Sequence, residues 1–471
     1  MSTTDPADVL RNGFTGEVLR PAQPGYDEAR RVFNAMIDRR PALIGRCANT
    51  ADVAAAVNAA REHGLAAAVR CGGHSFSGLS TCDDGLLIDL RGLKSIAVDP
   101  QARTARAGGG VLWGEFDAAT QAHGLHTPGG RVTTTGLGGF TTGGGYGWTS
   151  SKFGLACDNL ISAEVVLADG SVLRASEREH ADLFWGIRGG GGNFGIVTEF
   201  EFRLHPLGPI VLAGLAMFPI DRAPDVLRRW RDWADTAPDE VSTGCAVILA
   251  PPEEFVPPEL RGQPVLGILV LYVGDPEAGA AIVQPLKDLG PAVDHIGPMP
   301  YTAFQAALDP LAPWDISGGF YARGEYMADL SDAAIEVFLA HATNLVTLSP
   351  PFSQMIIFRI GQGVAAVPDE ATAFSHRDAS YLFHPISAWL DPAEGEKMMA
   401  ATRAFAAAMQ PFSTGASYLN FTHEAGRVRD AYGDATYARL VALKDTYDPA
   451  NLFRLNQNIR PSQPAVEPVL A

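Results

Sequence analysis

The alternation of hydrophobic and polar residues predicts a mixed α+β texture in the first part of the chain. A helical period runs from the Asn49 cap to a stop at Gly64, and a second runs over residues 111–123. Short apolar runs around these helices predict strands at 66–70, 86–90, 95–98 and 104–107. The strands are too short and too unevenly spaced for a series of βαβ units.

Further along the chain the texture changes. Residues 161–173 predict two strands around an Asp-Gly turn, and residues 196–204 alternate like an amphipathic strand. After Pro206, apolar strands alternate with amphipathic helices and proline-rich breaks, which indicates a second domain. The final stretch is too short for a domain of its own and is expected to rejoin the first. The predicted segments are therefore 1–205, 206–415 and 416–471.

Composition and charge exclude several classes of protein. Hydrophobic residues make up 46% and charged residues 19% of the 471 residues, which excludes wholesale disorder. A net charge of −17 repels phosphate groups, so neither nucleic acid nor an anionic membrane is an expected partner. The five cysteines are scattered and form no C-x-x-C, so no disulfide framework or cysteine zinc site is encoded. The start lacks a signal-peptide pattern, which predicts a soluble cytoplasmic protein.

The 50 glycines are concentrated in runs that do not resemble a linker. Residues 129–147 and 188–195 interleave glycine with Val, Leu, Phe and Tyr, whereas a flexible linker is polar and solvated. Gly190, Gly192 and Gly195 satisfy G-x-G-x-x-G, but the motif opens an alternating strand and not a helix, which argues against a Rossmann turn. No P-loop, nucleophile elbow, H-E-x-x-H or zinc-finger spacing is present. His123 and His126 form an H-x-x-H pair, but no third ligand stands nearby in the sequence, so no metal is expected.

The most informative run is RCGGHSFSG at residues 70–78. Consecutive glycines after a buried strand let backbone N–H groups turn toward an anion, and Ser75 and Ser77 add hydroxyl donors. Such a loop suits a diphosphate. His74 within it has two interpretations: a buried imidazole bonded to a carbonyl, or a group that acts on a cofactor.

Five motifs in a fixed order carry a resemblance. They are RCGGHSFSG, GGFTTGGGYGWTSSKFGLACDNL, FWGIRGGGGNFGIVTEFEF, AFSHRDASYLF, and the terminal YLNF with YDPANLFRLNQNIRP. Together they span roughly residues 47–461. The chain resembles the FAD-linked oxidase superfamily of vanillyl-alcohol oxidase and p-cresol methylhydroxylase, and within it the berberine-bridge-enzyme-like oxidases.

The resemblance implies a two-part FAD-binding domain, 1–205 and 416–471, with an inserted α+β substrate domain, 206–415, that carries an antiparallel sheet over the flavin. It also implies a covalent bond from His74 to the flavin C8-methyl carbon, which suits a neutral imidazole nucleophile. The cofactor-binding residues that it implies are Arg70, Gly72, Gly73, His74, Ser75, Gly78, Gly129, Val132, Thr133, Gly136, Gly139, Gly143, Gly147, Val197, Asn456 and Asn458.

Two positions set expectations for the flavin's reactivity. Val132 stands where many family members have a cysteine bonded to the flavin C6 carbon, so a single bond through His74 is expected. Thr135 stands at the family's oxygen-gating position, where valine is typical of oxidases. Threonine is nearly isosteric with valine, which favours oxygen as electron acceptor.

Three residues are candidates for work on the substrate. Tyr418, in a motif that the family places at the substrate face, is the first candidate for the base, although its ordinary pKa of about 10 would have to be lowered. Packing of an aromatic ring at a strand end is the alternative. His384 could bind substrate or assist Tyr418, or simply occupy a half-buried strand. Tyr321 and Tyr381 are weaker candidates.

The sequence thus predicts an oxidase that takes hydride from an alcohol or amine carbon of a secondary-metabolite-sized substrate and reduces oxygen to hydrogen peroxide. Phe421 and His423 replace a tyrosine and an acid that the family often has, which argues against a sugar substrate. The alternatives are a sugar or oligosaccharide oxidase, a dehydrogenase with another acceptor, and a flavin-binding protein without turnover. The oligomeric state stays open.

Overall fold

The computed structural model of the chain describes residues 10, 14–314, 316–348, 352–424 and 426–463. Within these ranges, helices pack against sheets of four, five and ten strands and a two-stranded ribbon. The predicted α+β fold is confirmed. Residues 1–8, from which the sequence predicted the absence of a leader, lie outside the described residues. None of the described helices is long and apolar enough to cross a membrane.

The four-stranded sheet carries the RCGGHSFSG run. In spatial order its strands are Glu17–Leu19, Leu43–Arg46, Leu86–Asp89 and Ala67–Arg70, and the last three are parallel. The predicted helix is Thr50–His63; the Asn49 side chain accepts from the Asp52 N–H, and Gly64 ends the helix in the left-handed conformation. The glycine-rich loop therefore leaves the carboxyl end of an edge strand.

The five-stranded sheet is antiparallel and forms the second core of this part of the chain. Its strand order is Ile96–Asp99, Thr104–Gly108, Ile196–Arg203, Leu160–Val166 and Val172–Ser176. The helices Trp113–Gln121 and Ala181–Ile187 pack against it. The first of these begins two residues later than predicted, because the Glu115 carboxylate accepts from the Leu112 N–H at 2.8 Å and caps the helix there.

The ten-stranded sheet is the largest element. Its main order is Val293–Asp294, Ile210–Pro219, Pro264–Tyr272, Val241–Leu249, Gln354–Arg359, Tyr381–Trp389, Glu325–Met327 and Ser413–Ser417; Gly297–Pro300 and Gly319–Ala322 pair beside it. The long helices on one face are Ala223–Thr236, Pro276–Lys287, Asp332–Thr347 and Gly395–Met409. The two-stranded ribbon is Leu125–His126 with His205–Pro206, and the short helices are Tyr26–Arg30, Leu137–Thr142, Ser150–Phe153, Tyr301–Gln305 and Gln362–Ala365.

Strand alternation gives the ten-stranded sheet two different faces. Met355 and Ile357 pack into the core beneath the long helices, whereas Ile356 and Phe358 face the opposite side. His384 lies directly across from Ile356 in the antiparallel register. The face opposite the long helices is therefore the one that meets the glycine-rich loops.

The C-terminal stretch packs against the first part of the chain. The helix Val428–Tyr447 ends near Lys444, whose ammonium group donates to Asp448 at 2.7 Å and to the Asn193 and Phe453 carbonyls. Lys444 and Asp448 are both fully buried. This buried pair holds residues 448–463 against the second glycine-rich run. The three-segment division stays a prediction, and the strand Ser413–Ser417 crosses its boundary at residue 415.

Candidate active site

A cavity of about 390 Å³ lies between the glycine-rich loops and the ten-stranded sheet. We call its two walls the floor and the roof. The floor comprises lining residues of the segments 71–80, 130–143, 189–197 and 453–457, and the roof comprises those of the strands Gln354–Arg359 and Tyr381–Trp389 with the segment 419–422. Its volume is typical of a site for a small organic molecule.

The floor is made largely of backbone. A Cβ added at Gly72 would lie 2.3 Å from the Gly136 N atom and 2.8 Å from the Thr134 carbonyl oxygen, so the two loops cross where only glycine fits. Gly73 has a φ of +71°, which favours glycine over any L side chain. At Gly139 and Gly192, by contrast, an added Cβ would meet nothing within 4 Å. The floor is thus an open cradle of peptide groups.

His74 occupies an aromatic corner of the floor. Its ring stacks on Phe33 with centroids 4.5 Å apart and meets the edge of Trp314 at 5.6 Å. Its Nε2 atom lies 2.8 Å from the Thr134 hydroxyl oxygen, and that oxygen accepts from the Trp314 indole N–H at 3.2 Å. Burial lowers the pKa of His74 to about 3, so the imidazole is neutral at physiological pH.

Two C-terminal asparagines leave polar atoms without partners. Asn456 lines the cavity and donates to the Gly192 carbonyl at 3.1 Å, but its Oδ1 atom is buried without a hydrogen bond among the described residues. The Oδ1 atom of Asn458 is likewise buried without a hydrogen bond among the described residues, although Asn458 does not line the cavity. Unsatisfied amide oxygens beside a peptide cradle fit a ligand with N–H donors, such as the pyrimidine edge of a flavin.

The structure brings many of the predicted cofactor residues to this one cavity. Those that line it are Gly72, Gly73, His74, Ser75, Val132, Gly136, Gly139, Gly143, Val197 and Asn456, together with Thr135. Those that do not line it are Arg70, Gly78, Gly129, Thr133, Gly147 and Asn458.

The residues that miss the cavity have structural contacts. Arg70 pairs with the buried Asp89 at 2.6 Å, and Thr133 donates to Asp309 in the loop that follows the helix Tyr301–Gln305. An added Cβ at Gly147 would lie 2.2 Å from the Gly129 carbonyl oxygen. These residues therefore stabilise the loops through contacts outside the cavity.

His384 faces the cavity from the roof. It stacks on Phe421 with centroids 4.0 Å apart, and its Nδ1 atom lies 2.7 Å from the Arg323 carbonyl oxygen. A carbonyl can only accept, so Nδ1 carries the proton and Nε2 has a free lone pair. Within the described ranges Nε2 makes no hydrogen bond. Burial lowers the pKa of His384 to about 3.

Tyr418 does not reach the cavity, contrary to its predicted place at the substrate face. Its phenol oxygen accepts three hydrogen bonds at 3.1 Å, from the Gly145 and Tyr146 N–H groups and from the Asn420 amide. Burial raises the pKa of Tyr418 to about 12, although these donors oppose the rise. From the same motif, Asn420 and Phe421 are the residues that line the cavity.

The other predicted tyrosines also lie outside the lining. Tyr321 donates from its hydroxyl to Glu424, and burial followed by that carboxylate raises its pKa. Tyr381 donates to Asp235 at 2.6 Å. In both cases the hydroxyl is committed to a carboxylate, which explains why neither side chain points at the cavity.

Sequence reasoning missed Arg131, Gln354 and Thr134. The first two line the cavity, and Thr134 contacts His74. Arg131 stands inside the glycine-rich run, where its charge is the available signal. Gln354 and Thr134 have no comparable signal. In the part of the chain that the structure describes, no cluster of His, Cys, Asp or Glu is arranged to hold a metal ion.

Comparisons with known proteins agree with this geometry. Residues 41–176 match a family model described as an FAD binding domain, and residues 417–460 match one described as berberine and berberine like. The chain is 31% identical over 460 residues to an FAD-linked oxidoreductase of Dictyostelium discoideum, covering 95% of each chain. It is 31% identical over 457 residues to (R)-6-hydroxynicotine oxidase of Paenarthrobacter nicotinovorans, covering 95% of this chain and 97% of that one.

A solved structure supports the same assignment. 6-Hydroxy-D-nicotine oxidase of Arthrobacter nicotinovorans superposes with a TM-score of 0.84 at 28% identity, over 98% of this chain and 100% of that one. The shared fold, the peptide cradle and the two matched family models agree. The chain is therefore an FAD-binding enzyme that belongs to the berberine-bridge-enzyme-like family of FAD-linked oxidoreductases, within the superfamily of vanillyl-alcohol oxidase.

Proposed function

We propose that this protein is an oxidase that carries FAD on His74, takes hydride from an alcohol or amine carbon of an apolar, secondary-metabolite-sized substrate, and passes the electrons to oxygen to give hydrogen peroxide. The observation that carries the proposal is the cavity itself. Its floor is a peptide cradle with a neutral imidazole, and its roof presents a second neutral imidazole with a free lone pair.

The floor residues suit covalent attachment at one point. His74 is uncharged, so one ring nitrogen has a lone pair for a bond to the flavin C8-methyl carbon. Val132 lines the cavity where a second, cysteinyl bond would form, and its side chain cannot form one. Gly139, Gly143 and Asn456 would contact the cofactor from below. Bound FAD supplies the hydride acceptor and the route of electrons to oxygen.

His384 is the proposed proton acceptor in place of Tyr418. Oxidation of an alcohol or amine releases hydride from carbon and a proton from oxygen or nitrogen, and a base aligned with that proton accelerates the step. His384 has a free Nε2 lone pair in the cavity, and its Nδ1–H is fixed by the Arg323 carbonyl. Tyr418 has its oxygen enclosed by three donors. Tyr418 instead supports the loop that contains Gly145.

The cavity walls favour an aromatic or otherwise apolar substrate over a sugar. Ile356, Phe358, Ile386 and Phe421 line the roof, and Phe320 lies in the lining beside it. A sugar needs several free hydrogen-bonding partners. The polar roof side chains are Gln354, His384, Asn420 and Thr422, and the last two already make hydrogen bonds within the protein. The relative named for 6-hydroxynicotine supports a nitrogen-containing aromatic substrate.

The electron acceptor is proposed to be oxygen. Thr135 lies in the cavity wall, where its small side chain leaves room for oxygen to reach the flavin. The protein is proposed to act in the cytoplasm on a small-molecule substrate, without nucleic acid or membrane.

The linkage is tested by acid precipitation of the purified yellow protein, followed by flavin fluorescence of the protein band. We expect wild-type protein to retain flavin and His74→Ala to release it while keeping the fold. Thr302→Ala, on the exposed side of a helix away from the cavity, is the matched control and should retain flavin. Release from the wild type would contradict the covalent bond, and absence of flavin would contradict the whole proposal.

The oxidase activity is tested by peroxide formation with a panel of aromatic and aliphatic alcohols and amines, beside mono- and oligosaccharides. Turnover of an apolar alcohol or amine with stoichiometric peroxide is the expected result. Turnover of sugars alone would overturn the substrate class. Reduction of the flavin without peroxide would instead make the protein a dehydrogenase.

A further inference from the structure

One cation in the cavity wall lacks the partner that every comparable cation has. Four arginine or lysine residues in the described ranges are buried: Arg70, Arg131, Arg377 and Lys444. Arg70 pairs with Asp89, Arg377 with Asp158 and Lys444 with Asp448, at 2.6 to 2.7 Å. No carboxylate among the described residues lies within 4 Å of Arg131.

Aromatic rings and backbone carbonyls hold the Arg131 guanidinium in place, and none of them neutralises its charge. The Arg131 guanidinium lies over three rings, with its central carbon 3.9 Å from the Phe358 centroid, 4.5 Å from Tyr146 and 4.6 Å from Trp148. Its hydrogen bonds go to the Tyr146 and Gly147 carbonyls at 3.4 and 3.3 Å, and its Nε atom is buried without an acceptor. Aromatic faces orient a guanidinium without occupying its N–H groups. The two carbonyls accept one N–H each, which leaves the second N–H of Nη1 and of Nη2 for a ligand in the cavity that Arg131 lines.

Arg131 belongs to a floor segment, but its guanidinium reaches the roof of the cavity. Phe358 belongs to the roof strand Gln354–Arg359, and the neighbouring roof strand carries His384. The positive charge of Arg131 contributes to the lowered pKa of His384, after burial and against the Arg323 carbonyl, so the two groups lie within electrostatic reach. The described lining of the cavity includes no Asp or Glu. In a chain of net charge −17, this cavity is locally positive.

We propose that the substrate carries a carboxylate and that Arg131 binds it. A planar guanidinium with free N–H groups matches a carboxylate through parallel hydrogen bonds, and a buried cation is stabilised when an anion completes it. The substrate class is then an apolar acid, such as an aryl carboxylic acid, whose alcohol or amine carbon lies near His384. This inference rests on the proposed function but concerns binding, which is measurable without turnover.

The test measures equilibrium binding to flavin-loaded protein by calorimetry, with the perturbation of the flavin absorbance as a second readout. Benzoate is the carboxylate probe, and benzamide is its neutral match in shape. We expect wild-type protein to bind benzoate about 10- to 100-fold more tightly than benzamide, the range for a charge-assisted hydrogen-bonded pair. Arg131→Met should remove this preference, and Arg131→Lys should keep part of it.

Arg359→Met is the matched control. Arg359 also lies over an aromatic ring, Tyr381, but it pairs with Asp235 and does not line the cavity. The control should keep the wild-type ratio of benzoate to benzamide affinity. If Arg131→Met does not load flavin, the ratio of benzoate to benzamide affinity in wild-type protein alone tests whether the cavity prefers a carboxylate.

Equal binding of benzoate and benzamide by wild-type protein would overturn the proposal. Equal weakening of both probes in Arg131→Met would do the same, because it would assign Arg131 to packing or to the cofactor. A failure of the proposed oxidase would appear separately, as tight benzoate binding with no alcohol or amine oxidised.

Discussion

The floor and the roof of the cavity are built in opposite ways. The floor consists of peptide groups from glycine-rich loops, and its closest approaches, such as Gly72 against Gly136, exclude any side chain. The roof consists of side chains that project from paired strands. For example, His384 lies opposite Ile356 on the neighbouring antiparallel strand, although the two residues are far apart in the sequence. The floor can therefore hold a large invariant cofactor, while the roof can change its chemistry by single substitutions. This difference predicts which changes remove the cofactor and which alter reactivity or stability alone.

The largest loss of stability is expected beneath the floor, at the buried pair of Lys444 and Asp448. Lys444→Met leaves Asp448 as an unpaired buried charge and frees the Asn193 carbonyl beside the cavity floor. We expect the free energy of unfolding to fall by about 3–5 kcal/mol and flavin retention to weaken. Denaturant titration measures the first, and acid precipitation the second.

The control for this change is Lys397→Met, which removes an exposed ion pair with Glu394. Its cost should stay within about 1 kcal/mol. Similar small effects for the two variants would show that the buried pair does not support the floor.

The next largest effect is expected within the floor. In Gly72→Ala the added methyl group meets backbone atoms at 2.3 and 2.8 Å, and backbone cannot move aside as a side chain can. We expect loss of bound flavin together with a destabilisation of about 1–3 kcal/mol from overpacking. The measurement is flavin content per folded protein, from absorbance and circular dichroism.

Gly297→Ala is the matched control, because a Cβ at Gly297 meets nothing within 4 Å and its φ is not positive. This variant should keep full flavin content. Normal flavin binding by Gly72→Ala would contradict the crossing of the two floor loops.

Tyr418 separates support of the floor from chemistry at the roof. Tyr418→Phe removes the oxygen that accepts from Gly145, Tyr146 and Asn420 and leaves buried donors unsatisfied. We expect a loss of stability of about 1–3 kcal/mol and a fall in turnover smaller than that of a His384 variant. A large loss of turnover at unchanged stability would restore Tyr418 as the catalytic base.

A pH dependence of stability is expected in the wild-type protein, without any substitution. Burial lowers the pKa of both His384 and His126 to about 3, so the unfolded chain binds protons that the folded chain does not. Stability from these groups is complete above the unfolded pKa of about 6.5 and falls as the pH drops toward 3, by about 1.4 kcal/mol per unit for each histidine. The free energy of unfolding from urea titrations should be lower at pH 5 than at pH 7 by about 2 kcal/mol for each histidine.

The two histidines distinguish the regions. His126 lies in the ribbon Leu125–His126 and does not line the cavity. His126→Gln should reduce the pH dependence and leave the chemical step unchanged. A pH-independent stability in wild-type protein would contradict the burial of both neutral imidazoles.

Sequence predicted the floor better than the roof, for a physical reason. The helix from Asn49 to Gly64 and the loop around His74 depend on local caps, turns and glycine, which are encoded within a few residues. Whether Tyr418 or Phe421 faces the cavity depends on how the chain turns after the strand Ser413–Ser417. That turn is fixed by tertiary hydrogen bonds to Gly145 and Tyr146.

Arg131 illustrates the same limit. Its contacts join the floor run to Phe358, more than two hundred residues away, and no local pattern specifies that meeting. The lack of a carboxylate beside it could be recognised only after the other buried cations had been placed. Fold class, cofactor type and the candidate His384 were accessible from the sequence, whereas the place of Arg131 in the cavity wall and the exclusion of Tyr418 from it were not.

We propose that His384, and not Tyr418, takes the proton as the substrate is oxidised. The most direct test is anaerobic rapid mixing of the enzyme with a substrate from the peroxide screen, following the bleaching of flavin absorbance. We predict that His384→Ala slows this bleaching about 10²- to 10⁴-fold at saturating substrate, with flavin content unchanged. An unchanged bleaching rate in His384→Ala would contradict the assignment of His384 as the proton acceptor.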